Sequence, residues 1–213
     1  MIDESIVDPD PTARRELLEA LALAFRDNPM NVAIHGSNPR RRVRANRAGL
    51  RALVLDSADQ AIARVIRHED RVVGGFIVVP PGAFPMARQK LGRQIGCLIG
   101  QGARAMDRWS SVTASLGLYH PDMDHWYLAV LGIVPWLQGY GFGSRLLEAL
   151  GRITESNPCP LYLESDREAS MRFYLARGFA LRDEMNLHGV HCWCLGRGFA
   201  GIDTDLCDSV RES

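Results

Sequence analysis

No apolar run in this sequence approaches the roughly 18 residues that a membrane-crossing helix needs, so no helical span is expected. Net charge is also missing. Lys+Arg and Asp+Glu both number 25, leaving no overall basic field to hold nucleic acid or an anionic membrane surface. There is no internal repeat and no low-complexity linker, which argues against a solenoid and for one domain over 1–213. Cysteine is sparse and odd in number, with five in the chain. The N-terminus, MIDESIVDPDPT, is acidic and polar and does not read as a signal peptide. Reduced thiols and a cytoplasmic location are therefore expected. His191-Cys192-Trp193-Cys194 has no second ligand pair at zinc-site spacing. No metal is expected, and the two cysteines read as thiols of a buried strand.

What is present suffices for a proper core: 46% of residues are hydrophobic and 23% charged. The chain is organised around His125 to Leu150. Trp126 to Val134 is apolar, β-branched and aromatic, as in a strand buried on both faces. Pro135 ends it. Gln138-Gly139-Tyr140-Gly141-Phe142-Gly143 follows, then Ser144 to Leu150, where Leu146, Leu147 and Leu150 form one helical stripe. A strand, a glycine-rich turn and a helix start make an anion-binding device. Glycines admit a ligand close to the backbone, and the first helical N–H groups are free to point at it. The competing reading is a tight turn whose glycines only relieve strain. A P-loop is excluded because Gly143-Ser144-Arg145 lacks the lysine. The dinucleotide fingerprint is excluded because its third glycine would come one residue later, even though Glu164 lies 21 residues after Gly143.

The pattern Q/R-x-x-G-x-G/A, met by Gln138, Gly141 and Gly143, resembles the acetyl-CoA loop of the GNAT superfamily of N-acetyltransferases. A second block is similar to the same superfamily: strand Leu161-Tyr162-Leu163-Glu164, a helix continuing to Arg177, and then F-Y-x-x-x-G-F over Phe173 to Phe179. Gly178 serves as the C-cap of that helix. The resemblance runs from about Arg71 to Trp193. It implies an α/β (α+β) fold with a central, mixed, mostly antiparallel twisted sheet flanked by helices.

Around these blocks, Thr12 to Arg26 reads as a helix with Leu17, Leu18, Leu21, Ala24 and Phe25 inward and Thr12 as N-cap, ending near Asn28-Pro29. Ala24 to Pro29 is similar to a phrase that, in relatives, helps to form the wall of the acceptor site. Arg40, Arg41, Arg42 and Arg44, with Arg47 and Arg51, open a second helix through Leu55. They read as a solvated face, with attraction of an acidic partner or of the CoA phosphates as the competing reading. Asp59 to Arg67 and Val72 to Val79 make a hairpin turned at His68 to Arg71, with Gly74-Gly75 as a bulge or a close backbone approach. Residues 80–124 are a helical insertion before the cofactor strand, with helices over Met86 to about Ile99 and Ala103 to about Leu116. It is either a lid over the acceptor or the surface of a homodimer. Asp203 to Ser213 is expected to be a frayed tail.

The resemblance implies an acetyl-CoA-dependent N-acetyltransferase that acts by direct transfer to a primary amine of a small molecule or peptide. No metal, nucleic acid or membrane partner is expected. Backbone N–H groups of Gln138, Gly139, Tyr140, Gly141, Phe142, Gly143 and Ser144 would hold the pyrophosphate. Leu131, Gly132 and Ile133 would pair with the pantetheine arm and supply the oxyanion donor. Tyr174 corresponds to the tyrosine that protonates the leaving thiolate, and its unperturbed pKa of about 10 suits that task. Ser170 stands where relatives carry a cofactor-binding asparagine. For the general base, Glu164 and His125 are the candidates, with water-relayed deprotonation as the alternative. Tyr127 occupies the position of a carboxylate base in some relatives and cannot act as one. Two rival functions remain: a non-catalytic acyl-CoA sensor, and an acyltransferase using another acyl group or a hydroxyl acceptor.

Overall fold

The computed structural model describes residues 6–57, 59–86 and 91–199. It is a mixed α/β structure built on one seven-stranded sheet. The strands are β1 (Ile6–Val7), β2 (Ile62–His68), β3 (Arg71–Val79), β4 (Trp126–Ile133), β5 (Leu161–Ser165), β6 (Ala180–Leu187) and β7 (Val190–Arg197). Their order in the sheet is β1-β2-β3-β4-β5-β7-β6. Only β4 and β5 run parallel; every other neighbouring pair is antiparallel.

Seven helices flank the sheet among the described residues: α1 (Pro11–Ala24), α2 (Pro29–His35), α3 (Pro39–Asp56), α4 (Leu91–Gln101), α5 (Ala103–Gly117), α6 (Phe142–Thr154) and α7 (Glu168–Leu175). Alternation along the strands sorts two cores. On one face Phe76, Val78, Trp126, Leu128, Leu161 and Leu163 pack with Leu146, Leu147 and Leu150 of α6 and Tyr174 of α7. On the other, Val65, Ile77 and Val79 pack under Leu17, Leu18 and Leu21 of α1. Leu146 and Leu150 are fully buried, so truncating either to alanine costs about 2–5 kcal/mol.

Gly132 sets the height of α1 over the sheet. A Cβ there would stand 2.9 Å from Leu21 Cδ2 and 3.0 Å from Ala24 Cβ. Only a residue without one lets the helix rest directly on β4. Gly74 is a close backbone approach as well, since its Cβ would fall 2.3 Å from the carbonyl oxygen of Gly132. The register slips beside it, between Ile66 and Arg67, leaving Val73 of β3 as the extra residue, and again between Ile77 and Val78, leaving Ala129 of β4.

Several expectations shift. Asp10 caps α1 in place of Thr12, its carboxylate accepting from the N–H groups of Thr12 and Ala13. The segment after α1 is not simple loop: α2 starts at Pro29, a residue well placed at a first helical position. Its N-terminus is held by Asp166, which accepts from Met30 N–H at 2.8 Å. The arginine face of α3 is not wholly solvated. Arg42 is 6% exposed; it donates to the carbonyls of Arg26 and Gly36 and to Asp27, tying the α1–α2 connection to α3. In the insertion, the first helix begins at Leu91; the expected start near Met86 runs into residues 87–90, outside the described residues, as is the 203–213 tail. Cys192 and Cys194 are buried in β7. Among the described residues no helix is long and apolar enough to cross a membrane.

Candidate active site

β4 and β5 pair only at Trp126 with Leu161 and Tyr127 with Tyr162. Beyond that the strands diverge, and Leu128 to Ile133 have no neighbour on the β5 side. Val134 N–H donates to Val73 of β3. By alternation, Gly132 also directs its backbone groups to β3, while Leu131 and Ile133 direct theirs into the opening. The Ile133 carbonyl already accepts from Gln138 Nε2 at 2.9 Å. The opening therefore offers Leu131's N–H and C=O and Ile133's N–H to an extended ligand lying in it like an added strand.

The opening leads to the start of α6. Gly139 and Gly141 both have φ +86, a conformation that glycine adopts without strain. Gly141 is the N-cap and has no side-chain cap. Ser144 and Arg145 give their N–H groups back to the Gly141 carbonyl. The N–H groups of residues 139–143 donate no backbone hydrogen bond, leaving an open array at the positive end of a 13-residue helix. Gln138 lies outside that array as a brace: besides Ile133, its Oε1 accepts from Arg167 at the start of α7. Ser144 is also engaged, its hydroxyl accepting from Arg177 at 2.6 Å. The Arg177 guanidinium lies over the Phe173 ring, 3.8 Å from its centroid, and a Cβ on Gly143 would touch that ring at 3.5 Å. The glycine turn and the F-Y-x-x-x-G-F block thus meet in space.

Tyr174, one residue on, is buried with its ring edge-to-face against Phe173 and Phe179. Burial raises its pKa and nothing opposes the shift, so the hydroxyl keeps its proton. Ser170 lies one turn earlier on α7, half-buried.

On the opposite face, five rings crowd around one carboxylate. Glu164 is 10% exposed, and its Oε1 lies 3.0 Å from His120 Nε2 yet finds no aligned hydrogen bond. Tyr127 lies within the field of the same carboxylate; burial, and then Glu164's charge, push that phenol well above its ordinary pKa. Tyr162 is raised as well, by burial and then by Glu164. His120 Nδ1 meets His125 Nε2 at 3.3 Å, and His125 Nδ1 meets the Met123 carbonyl at 2.7 Å. Both nitrogens of His125 are thus engaged, and burial lowers its pKa. Phe84 lies flat on His120, ring centroids 3.8 Å apart and planes 1° off parallel. Cys194, opposite Glu164 in the ladder, is fully buried and its thiol is pushed up to about 11, which makes it a poor nucleophile.

The structure brings Glu164 and His125 together on one face, with Tyr174 on the other and the β4–β5 opening between. Sequence reasoning missed Phe84 and His120. The available signal was a second histidine five residues before His125, at the exit of the insertion.

The Acetyltransferase (GNAT) family model matches residues 39–179, and the chain belongs to that family. Among solved structures with the same fold is a protein from Corynebacterium glutamicum described as histone acetyltransferase HPA2 and related acetyltransferase. It has 16% identity and a TM-score of 0.64 over 93% of this chain and 97% of that one. PaiA N-acetyltransferase from Thermoplasma acidophilum, in complex with coenzyme A, gives 12%, 0.58, 92% and 98%. A polyamine N-acetyltransferase from Drosophila melanogaster, which forms N-acetylagmatine, gives 16%, 0.60, 91% and 98%.

Proposed function

We propose that this acetyltransferase uses acetyl-CoA and moves the acetyl group directly to the primary amine of a small molecule or peptide. The observation that carries the reading is the β4–β5 opening running into the free N–H array at 139–143. That array fits a pyrophosphate, and Leu131 and Ile133 fit an amide-bearing arm. The thioester brought there presents an activated acetyl carbon. Leu131 N–H, or the next free N–H along β4, stabilises charge gathering on its carbonyl oxygen. Tyr174, held protonated by burial, supplies a proton to the departing sulfur. Glu164, on the other face, is the carboxylate available to the incoming amine. The high thiol pKa of Cys194 favours direct transfer over a covalent acyl-enzyme.

The test is calorimetric titration with acetyl-CoA, followed by thiol release in the presence of agmatine, spermidine and other primary amines. Binding with amine-dependent thiol release is the expected result. Binding without turnover on any amine would favour the sensor reading, turnover on alcohols or with longer acyl chains the acyltransferase variant, and absence of binding would overturn the proposal.

A further inference from the structure

The chain of contacts from Met123 through His125 and His120 to Glu164 fixes where protons sit. The Met123 carbonyl can only accept, so His125 Nδ1 carries the hydrogen of their 2.7 Å contact. Burial keeps His125 neutral, which leaves its Nε2 bare and calls for the hydrogen of His120 Nδ1, 3.3 Å away. A neutral His120 then has a bare Nε2 3.0 Å from Glu164 Oε1, which is buried and has no donor of its own, though the two are not in hydrogen-bonding line. Two bare acceptors this close repel, the more so with Glu164 Oε1 buried away from water, and one added proton on either relieves the repulsion. Phe84 stacks on the imidazole that would carry that proton, and a cation over an aromatic face is favoured.

We propose that Glu164 and His120 form a one-proton receptacle for the acceptor amine, Glu164 taking the proton and His120 sharing it, with His125 fixing which nitrogen faces the carboxylate. This rests on the acetyl-transfer reading above. An acceptor arriving as an ammonium loses two protons. The first passes to the Glu164–His120 pair, freeing the nitrogen lone pair. As that pair bonds to the acetyl carbon, the C–S bond breaks. The second proton leaves nitrogen for water, and the sulfur gains one from Tyr174, which takes a proton back from water. Glu164 is the catalytic residue; His120, His125 and Phe84 are positioning residues. Phe84 opens the insertion and His120 closes it, so the insertion assembles the receptacle by bringing its two ends face to face. The other titratable or charged groups that face this pair are Tyr127, Tyr162, Cys194 and, through its field on His125, Arg182.

Imidazole nitrogen NMR on the full-length labelled protein tests the pairing without any acceptor. The expected result is a proton on Nδ1 of both His120 and His125 at pH 8, and a His120 Nε2 signal that responds to pH in wild type and loses that response in Glu164→Gln. A His120 protonated on Nε2 with a bare Nδ1 would overturn the proposal. Where agmatine or spermidine is turned over, His120→Asn should lower kcat about a hundredfold, shift the acidic limb of the pH profile and leave the KM for acetyl-CoA unchanged. An unchanged profile in that variant would also sink the proposal. Failure of wild type to bind acetyl-CoA would remove the functional reading instead, and the nitrogen signals would still decide the pairing.

Discussion

Tyr174 and Arg42 show how differently two buried polar side chains are held. Tyr174 sits among apolar neighbours with its pKa raised by burial alone. Replacing it with phenylalanine should preserve acetyl-CoA affinity and fold while lowering kcat about a hundredfold, read by thiol release. The phenol's raised pKa also means that no alkaline limb from Tyr174 should appear below pH 10. Arg42 is held by three acceptors, the carbonyls of Arg26 and Gly36 and the Asp27 carboxylate. Arg42→Ala strands all three and should cost about 3 kcal/mol, measured by denaturant unfolding. Arg42→Lys should recover little, because an ammonium cannot span the same acceptors. Tyr174 could be read from the sequence because a local motif fixes its place on a helix. The burial of Arg42 could not, since it depends on how α1 and α3 cross. Phe84 and His120 were hidden for the same reason: they touch only because two insertion helices return the chain to its starting point.

Elements with strong periodicity were legible. The leucines of α1 and α6, the alternating hairpin β2–β3 and the strand β4 all form where the pattern puts them, but β4, expected to be buried on both faces, leaves Tyr127, Ala129, Val130 and Leu131 only half-buried beside the opening. α2 was not, because seven residues behind a proline carry too short a pattern and depend on Asp166, far along the chain, for a cap. Its far end depends on another long-range contact: Trp109 Nε1 of α5 donates to His35 Nε2 at 3.2 Å. His35 is 2% exposed and its pKa is lowered to about 4, by burial and then by Arg41. A histidine whose folded pKa lies below its unfolded value binds fewer protons when folded, so its contribution to stability is present near neutrality and declines as pH falls from about 6.5 toward 4. Between pH 7 and pH 5 the loss should be about 2 kcal/mol. Equilibrium unfolding at the two pH values, compared with His35→Phe, checks this; equal pH dependence in both proteins would refute it. In the glycine turn, Gly141→Val forces a β-branched residue to φ +86. It should weaken acetyl-CoA binding at least tenfold by calorimetry, because the N–H array no longer points one way.

At the scale of the whole molecule, the sequence located the insertion but left open whether it is a lid or a dimer surface. Its packing against α2 and the β6–β7 hairpin, through Ala105, Val112, Met30, Ile34, Val190 and Cys192, puts α5 on the β7 face that carries Cys192. Replacing residues 87–118 with a short linker should leave acetyl-CoA binding intact and abolish amine turnover, measured by calorimetry and thiol release on the same sample. Loss of binding as well would show that the insertion supports the cofactor half too.

The single parallel contact between β4 and β5, two residue pairs long, has a mechanical consequence. Apart from the equally short attachment of β1 at the sheet's edge, every other junction is paired over five or more residues, so inside the sheet this is the seam with least resistance to shear. A ligand lying in the opening supplies the rungs that the strands themselves lack. Without it, the amides of Leu131 and Ile133 should exchange with deuterium far faster than those of β3, and acetyl-CoA should slow them selectively. Under the proposed function the substrate acts as a temporary eighth strand, and each turnover removes it and re-creates the weak seam.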